Sequence, residues 1–155
     1  EIIMQESAQN VILRTTVIYG WHVRSRFTNW VLNSLKNKKT VCAFTDQHST
    51  PTLVDDLAKS IIKMIELGIT GVHHAVGKTC LSRYEFALKL ADRFGFDKSL
   101  IIPTISSEKK QIALRPLNGC LDGSKLEKLI GYDFCDIDSG ISFMLSKSNG
   151  HSQVF

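Results

Sequence analysis

The segment Val11-Ile12-Leu13-Arg14-Thr15-Thr16-Val17-Ile18 is apolar or β-branched at nearly every position, with Asn10 ahead of it and Gly20 behind. Alternation by twos is missing, so the pattern predicts a strand buried on both faces of a parallel sheet. From Ser25 to about Lys36 the spacing becomes helical, with Phe27, Trp30, Val31 and Leu35 on one face and Asn37 as the stop. Thr40 to Phe44 reads as a short strand. The strongest helical pattern runs from Thr52 to Leu67, where Leu53, Val54, Leu57, Ala58, Ile61, Ile62 and Ile65 form one apolar stripe. Thr52 is the expected cap of that helix, with Asp55 three residues on, and Gly68 its expected end. Gly71 to Val76 follows as a strand. A helix then opens at Ser82 with Glu85 at the capping-box position and closes at Gly95. Leu100 to Ile105 is a further strand, and Ser124 with Glu127 starts a helix that ends at Gly131. A last amphipathic helix is expected over 138–145, then a flexible tail over 148–155.

Strands alternate with helices, so the chain is α/β. Its first strand needs neighbours on both sides, and few later segments read as equally buried strands. The sheet is therefore expected to be incomplete, with part of it contributed from upstream. A strand cut from its sheet presents unpaired N–H and C=O groups. The chain alone is accordingly expected to dimerise or swap elements, which light scattering would detect.

The 155 residues suit one domain. The net charge of +4 is spread out apart from Lys36, Lys38 and Lys39, read as a solvated helix end, and no basic stripe with interleaved aromatics suggests nucleic acid. No apolar run approaches the ~20 residues of a bilayer span, and no basic leader precedes an apolar core at the start. A soluble, cytoplasmic protein is expected. Cys42, Cys80, Cys120 and Cys135 form no Cys-x-x-Cys pair and fit neither a zinc site nor a disulfide scaffold, so buried or half-buried reduced thiols are expected. His73 and His74 would point to opposite faces of a strand and could not share a metal. No metal site is expected.

Motifs that would name a chemistry are missing. The sequence has no glycine-rich dinucleotide loop, no P-loop, no Gly-x-Ser-x-Gly elbow and no His-Glu-x-x-His. Tyr19, Tyr84 and Tyr132 are followed four residues on by Val23, Leu88 and Asp136, so no Tyr-x-x-x-Lys acid is present.

Four ordered segments supply what the motifs do not. Arg14-Thr15-Thr16-Val17-Ile18-Tyr19-Gly20 resembles the sixth-strand signature of extended short-chain dehydrogenase/reductases. Asp46-Gln47-His48-Ser49-Thr50-Pro51-Thr52 resembles the D-Q-x-G-x-P-T segment of dTDP-4-dehydrorhamnose reductases. Gly71-Val72-His73-His74-Ala75 with Ser82-Arg83-Tyr84-Glu85-Phe86-Ala87 is similar to that family's G-x-Y-H strand and S-x-x-E-F-A helix. Arg115-Pro116-Leu117-Asn118, with Leu121-Asp122 and Lys125-Leu126, looks like its R-P-x-N-x-x-L-D-x-x-K-L segment. The departures are Ser49 for a glycine, which puts the turn there in question, Val17 where a tryptophan is frequent, and His73 for a tyrosine.

The resemblance covers about residues 1 to 145. It implies the carboxy-terminal portion of an extended short-chain dehydrogenase/reductase: the last Rossmann strands and helices plus a small substrate-binding α/β domain, over 1–147. The amino-terminal NADP-binding half would be absent, with the catalytic tyrosine and lysine upstream of Glu1. The intact protein would transfer hydride from NADPH to C4 of a dTDP-4-keto-6-deoxy sugar, giving dTDP-L-rhamnose, and would be a homodimer. The fragment alone would be inactive and would bind NADPH poorly. A non-catalytic relative such as the regulatory β subunit of methionine adenosyltransferase shares the fold and stays open, as does another NAD-dependent sugar-nucleotide epimerase or dehydratase. A third possibility is a self-contained interaction domain.

The resemblance assigns Thr15 and Thr16 to cofactor contact, and Val17, Asn29, Gln47, Thr52 and Arg115 to the sugar nucleotide. Arginine suits a diphosphate because its planar fork meets two oxygens, and a helix start near Gln47 and Thr52 offers free N–H groups. Each also has a structural reading: sheet packing for Thr15 to Val17, helix capping for Thr52, a surface ion pair for Arg115. Trp30 is expected in the core and Tyr19 in packing.

Overall fold

The computed structural model describes residues 7, 9–109, 113 and 115–148. The expected tail, apart from Ser148, and the segment at Glu1 fall outside the described residues.

The first strand segment forms as two pieces, β1 (Val11–Arg14) and β2 (Thr16–Tyr19), with a break at Thr15 that the apolar run did not announce. They are followed by α1 (Arg26–Lys36), β3 (Val41–Phe44), β4 (His48–Ser49), β5 (Pro51–Leu53) and α2 (Val54–Glu66). Next come β6 (Gly71–His74), β7 (Leu81–Ser82), α3 (Arg83–Phe94), β8 (Ile101–Thr104) and β9 (Asn118–Gly119). The described part ends with α4 (Ser124–Ile130) and α5 (Ile137–Ser148).

Three parallel pairs, β1 with β6, β2 with β5 and β3 with β8, lie beside a three-stranded sheet in the order β7-β4-β9. At Thr15 the chain changes partner, from β6 along β1 to β5 along β2. Within β2, Val17 sits at φ +42°, a left-handed conformation that costs a β-branched residue, and the pairing with β5 slips there between Thr16 and Ile18. β1 is not buried on both faces here. It pairs only with β6 among the described strands, and Val11 is 44% exposed; in β2, Ile18 is 48% exposed.

The main core gathers Val31, Leu32 and Leu35 of α1, Val41 and Ala43 of β3, Phe86 and Leu90 of α3, and Ile141 and Met144 of α5. Each of these side chains larger than alanine contributes about 1.5–3 kcal/mol by leaving water. Tyr19 lies among them, as expected, with its ring edge-on to Phe86 at 5.3 Å. Gly140 of α5 packs against the Tyr19 phenol, where a Cβ would collide. A smaller core joins Met64, Ala75, Leu126, Ile130 and Phe134.

α3 has the capping box expected of it. The Ser82 hydroxyl accepts from Glu85 N–H at 3.1 Å, and the Ser82 N–H donates to the Glu85 carboxylate at 2.7 Å. Gly95 closes α3 in the left-handed conformation that glycine adopts without strain. α4 starts at Ser124 and ends at Gly131, as expected. Two other expectations fail. Thr52 does not cap α2; it is a strand residue, and the cap position is Leu53 without a side-chain bond. The Cys80 and Cys120 sulfurs are bonded as a disulfide and Cys42 is exposed, which leaves only Cys135 as the half-buried free thiol expected. Strand pairing brings the two cysteines together across β4, a proximity that their separation of 40 residues hides.

α2 turns only the Leu53 and Leu57 edge of its expected stripe inward. It buries Asp56, Ser60 and Met64, while Val54 is 40% exposed, Ile61 40%, Ile62 56% and Ile65 75%. No helix among the described residues is long and apolar enough to cross a membrane.

Candidate functional site

β3 places alternate side chains on opposite faces. Val41 and Ala43 enter the core, and Cys42 and Phe44 face outward. Outside that face and the carboxyl end of β3 lies a cleft of about 460 Å³ lined by Phe27, Trp30, Phe44, Gln47, Arg83 and Arg115, among others. Ligands of open α/β sheets collect at such strand ends.

Gln47 follows β3 and is only 8% exposed, yet its side-chain Nε2 has no hydrogen-bond partner among the described residues. Burying an amide donor without a partner costs about 1–3 kcal/mol, so a ligand acceptor there would recover free energy. Its backbone carbonyl accepts from Arg83 N–H at 3.2 Å, which ties Gln47 to the start of α3.

Arg83 lies over the Phe27 ring at 5.1 Å from its centroid. Burial, and after it the charge of Arg115, pull its pKa below the usual value, though arginine stays charged in proteins. Neither guanidinium has an ion-pair partner among the described residues. Two unpaired cations turned toward one cleft favour an anion between them. The surface ion pair that could have explained Arg115 is thus absent among the described residues. Trp30 is 46% exposed on the cleft rim, so the expectation of a core tryptophan fails. Helical spacing put it next to Val31, but its own direction is toward the opening.

Asp46 anchors the segment that leads to Arg115. Its carboxylate accepts from Ser106 N–H at 2.9 Å and from the Ser106 hydroxyl, and these bonds hold its pKa below the ordinary range. Ser49, the departure from the family's glycine, is an extended residue of β4, so no left-handed turn is needed there.

The other predicted residues lie elsewhere. Thr15, Thr16 and Thr52 form a hydroxyl cluster between β2 and β5. The Thr15 hydroxyl donates to Thr52 Oγ1 at 3.3 Å, and the Thr16 hydroxyl donates to Thr50 O at 2.6 Å. Thr52 is fully buried, and its hydroxyl donates to Thr16 O at 3.1 Å. Val17 is half-buried and packs on the main core. Asn29 stands in neither group; its Nδ2 donates to His22 O and Val23 O, both at 3.0 Å, and holds the loop before α1. A second groove of about 510 Å³ opens at the end of β2 beside Trp21, His22, Arg24 and Asp55, and it gathers none of the predicted residues.

The structure thus brings Gln47 and Arg115 together and adds Arg83, Phe27 and Phe44, which sequence reasoning missed. Arg83 stands inside the segment that carried the resemblance, but an arginine in the first turn of a helix has no signature of its own.

The chain is similar to proteins of known kinds over most of its length. It is 29% identical over 125 residues to a probable low-salt glycan biosynthesis reductase, Agl14, of Haloferax volcanii, covering 78% of this chain and 42% of that protein. It is 28% identical over 141 residues to a dTDP-4-dehydrorhamnose reductase of Aggregatibacter actinomycetemcomitans, covering 84% of this chain and 48% of that one. The chain therefore spans about half the length of these relatives. In fold it matches the crystal structure of a Bacillus anthracis dTDP-4-dehydrorhamnose reductase in complex with NADP, with TM-score 0.81 and 23% identity over 89% of this chain and 48% of that one. With residues 1–149 matched to its model, the chain belongs to the RmlD substrate binding domain family.

Proposed function

We propose that the chain is the substrate-binding half of an NADPH-dependent dTDP-4-dehydrorhamnose reductase, which reduces a dTDP-4-keto-6-deoxy sugar to dTDP-L-rhamnose in the cytoplasm. One observation carries the reading: a single cleft joins two guanidiniums without an ion-pair partner, a buried amide without a hydrogen-bond partner, both among the described residues, and an aromatic face. A nucleoside diphosphate has the matching parts. Its phosphates take the forks of Arg83 and Arg115, its flat base lies on Trp30, and a base carbonyl accepts from Gln47 Nε2.

NADPH supplies the hydride when bound. The residues of this chain fit the wall of such a site and not its cradle. No glycine-rich phosphate loop is present, and the Thr15 and Thr16 hydroxyls are already engaged by Thr52 and Thr50. In this reading Thr15, Thr16, Val17 and Thr52 form a stiff, water-excluding wall, and Asn29 positions the loop before α1. The proton donor and its lysine are assigned to the other half of the protein.

Tryptophan fluorescence tests the cleft. Thymidine diphosphate should quench Trp30 and saturate, and Arg83→Ala and Arg115→Ala should each weaken binding about tenfold or more, the loss expected for a charged hydrogen bond of ~1.5–3 kcal/mol. Absence of binding, or arginine variants that bind as well as the parent, would count against the reading. In a protein of the relatives' full length, NADPH oxidation that depends on the keto sugar separates a reductase from a relative that binds without turnover.

A further inference from the structure

We infer that Cys80 and Cys120 form a redox-active pair whose state sets how firmly the two arginine-bearing segments of the cleft are held together. Strand register brings them to one place. Ser49 of β4 is opposite Leu81 of the antiparallel β7 and Gly119 of the parallel β9. One step further along β4, both outer strands reach the level of Thr50, and there stand Cys80 and Cys120. Their Cα atoms are 5.7 Å apart, within the span of a disulfide. Cys80 is exposed and Cys120 half-buried, so a thiol reagent can reach the bond.

The position relative to the cleft gives the bond its consequence. Cys80 precedes Arg83 by three residues, and Cys120 follows Arg115 by five. Arg83 is fixed by the capping box of α3. Arg115, Pro116 and Leu117 are exposed, and the chain returns to the body through the two-residue β9. Near β9 that return is held by His48 N–H donating to Leu117 O at 2.7 Å and Leu121 N–H donating to Thr50 Oγ1 at 3.3 Å. A strand of two residues gives little stability by itself. The disulfide just beyond it keeps Arg115 facing Arg83; without it, the paired arrangement becomes one of several.

The exchange is balanced. A thiolate of a dithiol reductant attacks one sulfur, forming a mixed disulfide and releasing one cysteine thiolate of the chain. The reductant's second thiol then displaces the other cysteine. The chain gains two electrons and two protons as two thiols, and the reductant leaves as a cyclic disulfide. A disulfide oxidant runs the steps in reverse.

The readout rests on the proposed nucleotide site, so two measurements are paired. Thymidine diphosphate is titrated into air-oxidised and dithiothreitol-reduced protein, with the redox state read by intact mass after alkylation in denaturant. The oxidised chain should take two labels of four possible, and the reduced chain should bind at least about threefold more weakly, as a fall in the competent fraction requires. Cys80→Ser should bind as the reduced chain does and no longer respond to dithiothreitol. Four labels on the oxidised chain, equal affinities, or a Cys80→Ser protein that still responds would overturn the inference. If neither form binds nucleotide, the functional reading fails, and tryptic cleavage after Lys109 then decides: faster cutting in the reduced chain supports the pair, and equal rates reject it.

Discussion

Asp56 illustrates how a single side chain can organise a region that periodicity does not reveal. It is 3% exposed, accepts from the Tyr132 hydroxyl at 2.7 Å and from Cys135 N–H at 2.8 Å, and so ties α2 to the segment after α4. Burial, and then a hydrogen bond to Asp56 and its charge, push the Cys135 thiol up to about 11. Burial and the same carboxylate raise Tyr132 as well. Both groups hold their protons more tightly when folded. Their contribution to stability is therefore complete below the ordinary thiol value of 9.0 and declines as pH rises through about 11. The unfolding midpoint should be level from pH ~7 to ~9 and fall above that, and Cys135→Ser should make the onset shallower. A midpoint unchanged up to pH ~11 would contradict the assignment. In the sequence, Asp56 reads only as an acidic residue in a first helical turn. Gln47 and Arg115, picked out because their neighbours resemble family segments, line one cleft; Thr52 was misread as a cap because a threonine before an apolar helix looks the same whether it caps the helix or ends a strand.

α2 shows the same limit at the level of an element. Its existence and length follow from an apolar stripe, and the helix forms over Val54–Glu66 where the stripe predicts it. The direction of the stripe does not follow. A stripe says that one face avoids water, not which neighbour covers it, and here the inward face is Asp56, Ser60 and Met64. The bulge within β2 was equally invisible, because Val17 reads as a good strand residue and nothing in its side chain signals a positive φ. An exposed row of isoleucines, Ile61, Ile62 and Ile65, is a surface that seeks a partner. Ile62→Lys with Ile65→Lys should shift the chain toward monomer in light scattering, and a parent that is already monomeric at the same concentration would reject this.

For the molecule as a whole, two facts converge. The chain spans about half the length of the relatives it matches, and among the described residues α2 leaves its isoleucines exposed and β1 is paired along one edge only. We propose that in a full-length relative the other half covers the open edge of β1, while the cleft of Gln47, Arg83 and Arg115 remains the part built by this chain alone. The most direct measurement is a two-dimensional amide NMR titration with thymidine diphosphate. The side-chain amide of Gln47 and the backbone amides around Arg83 and Arg115 should shift together and saturate at one affinity. Shifts confined to the groove beside Trp21 and His22, or none at all, would contradict a nucleotide site in the cleft.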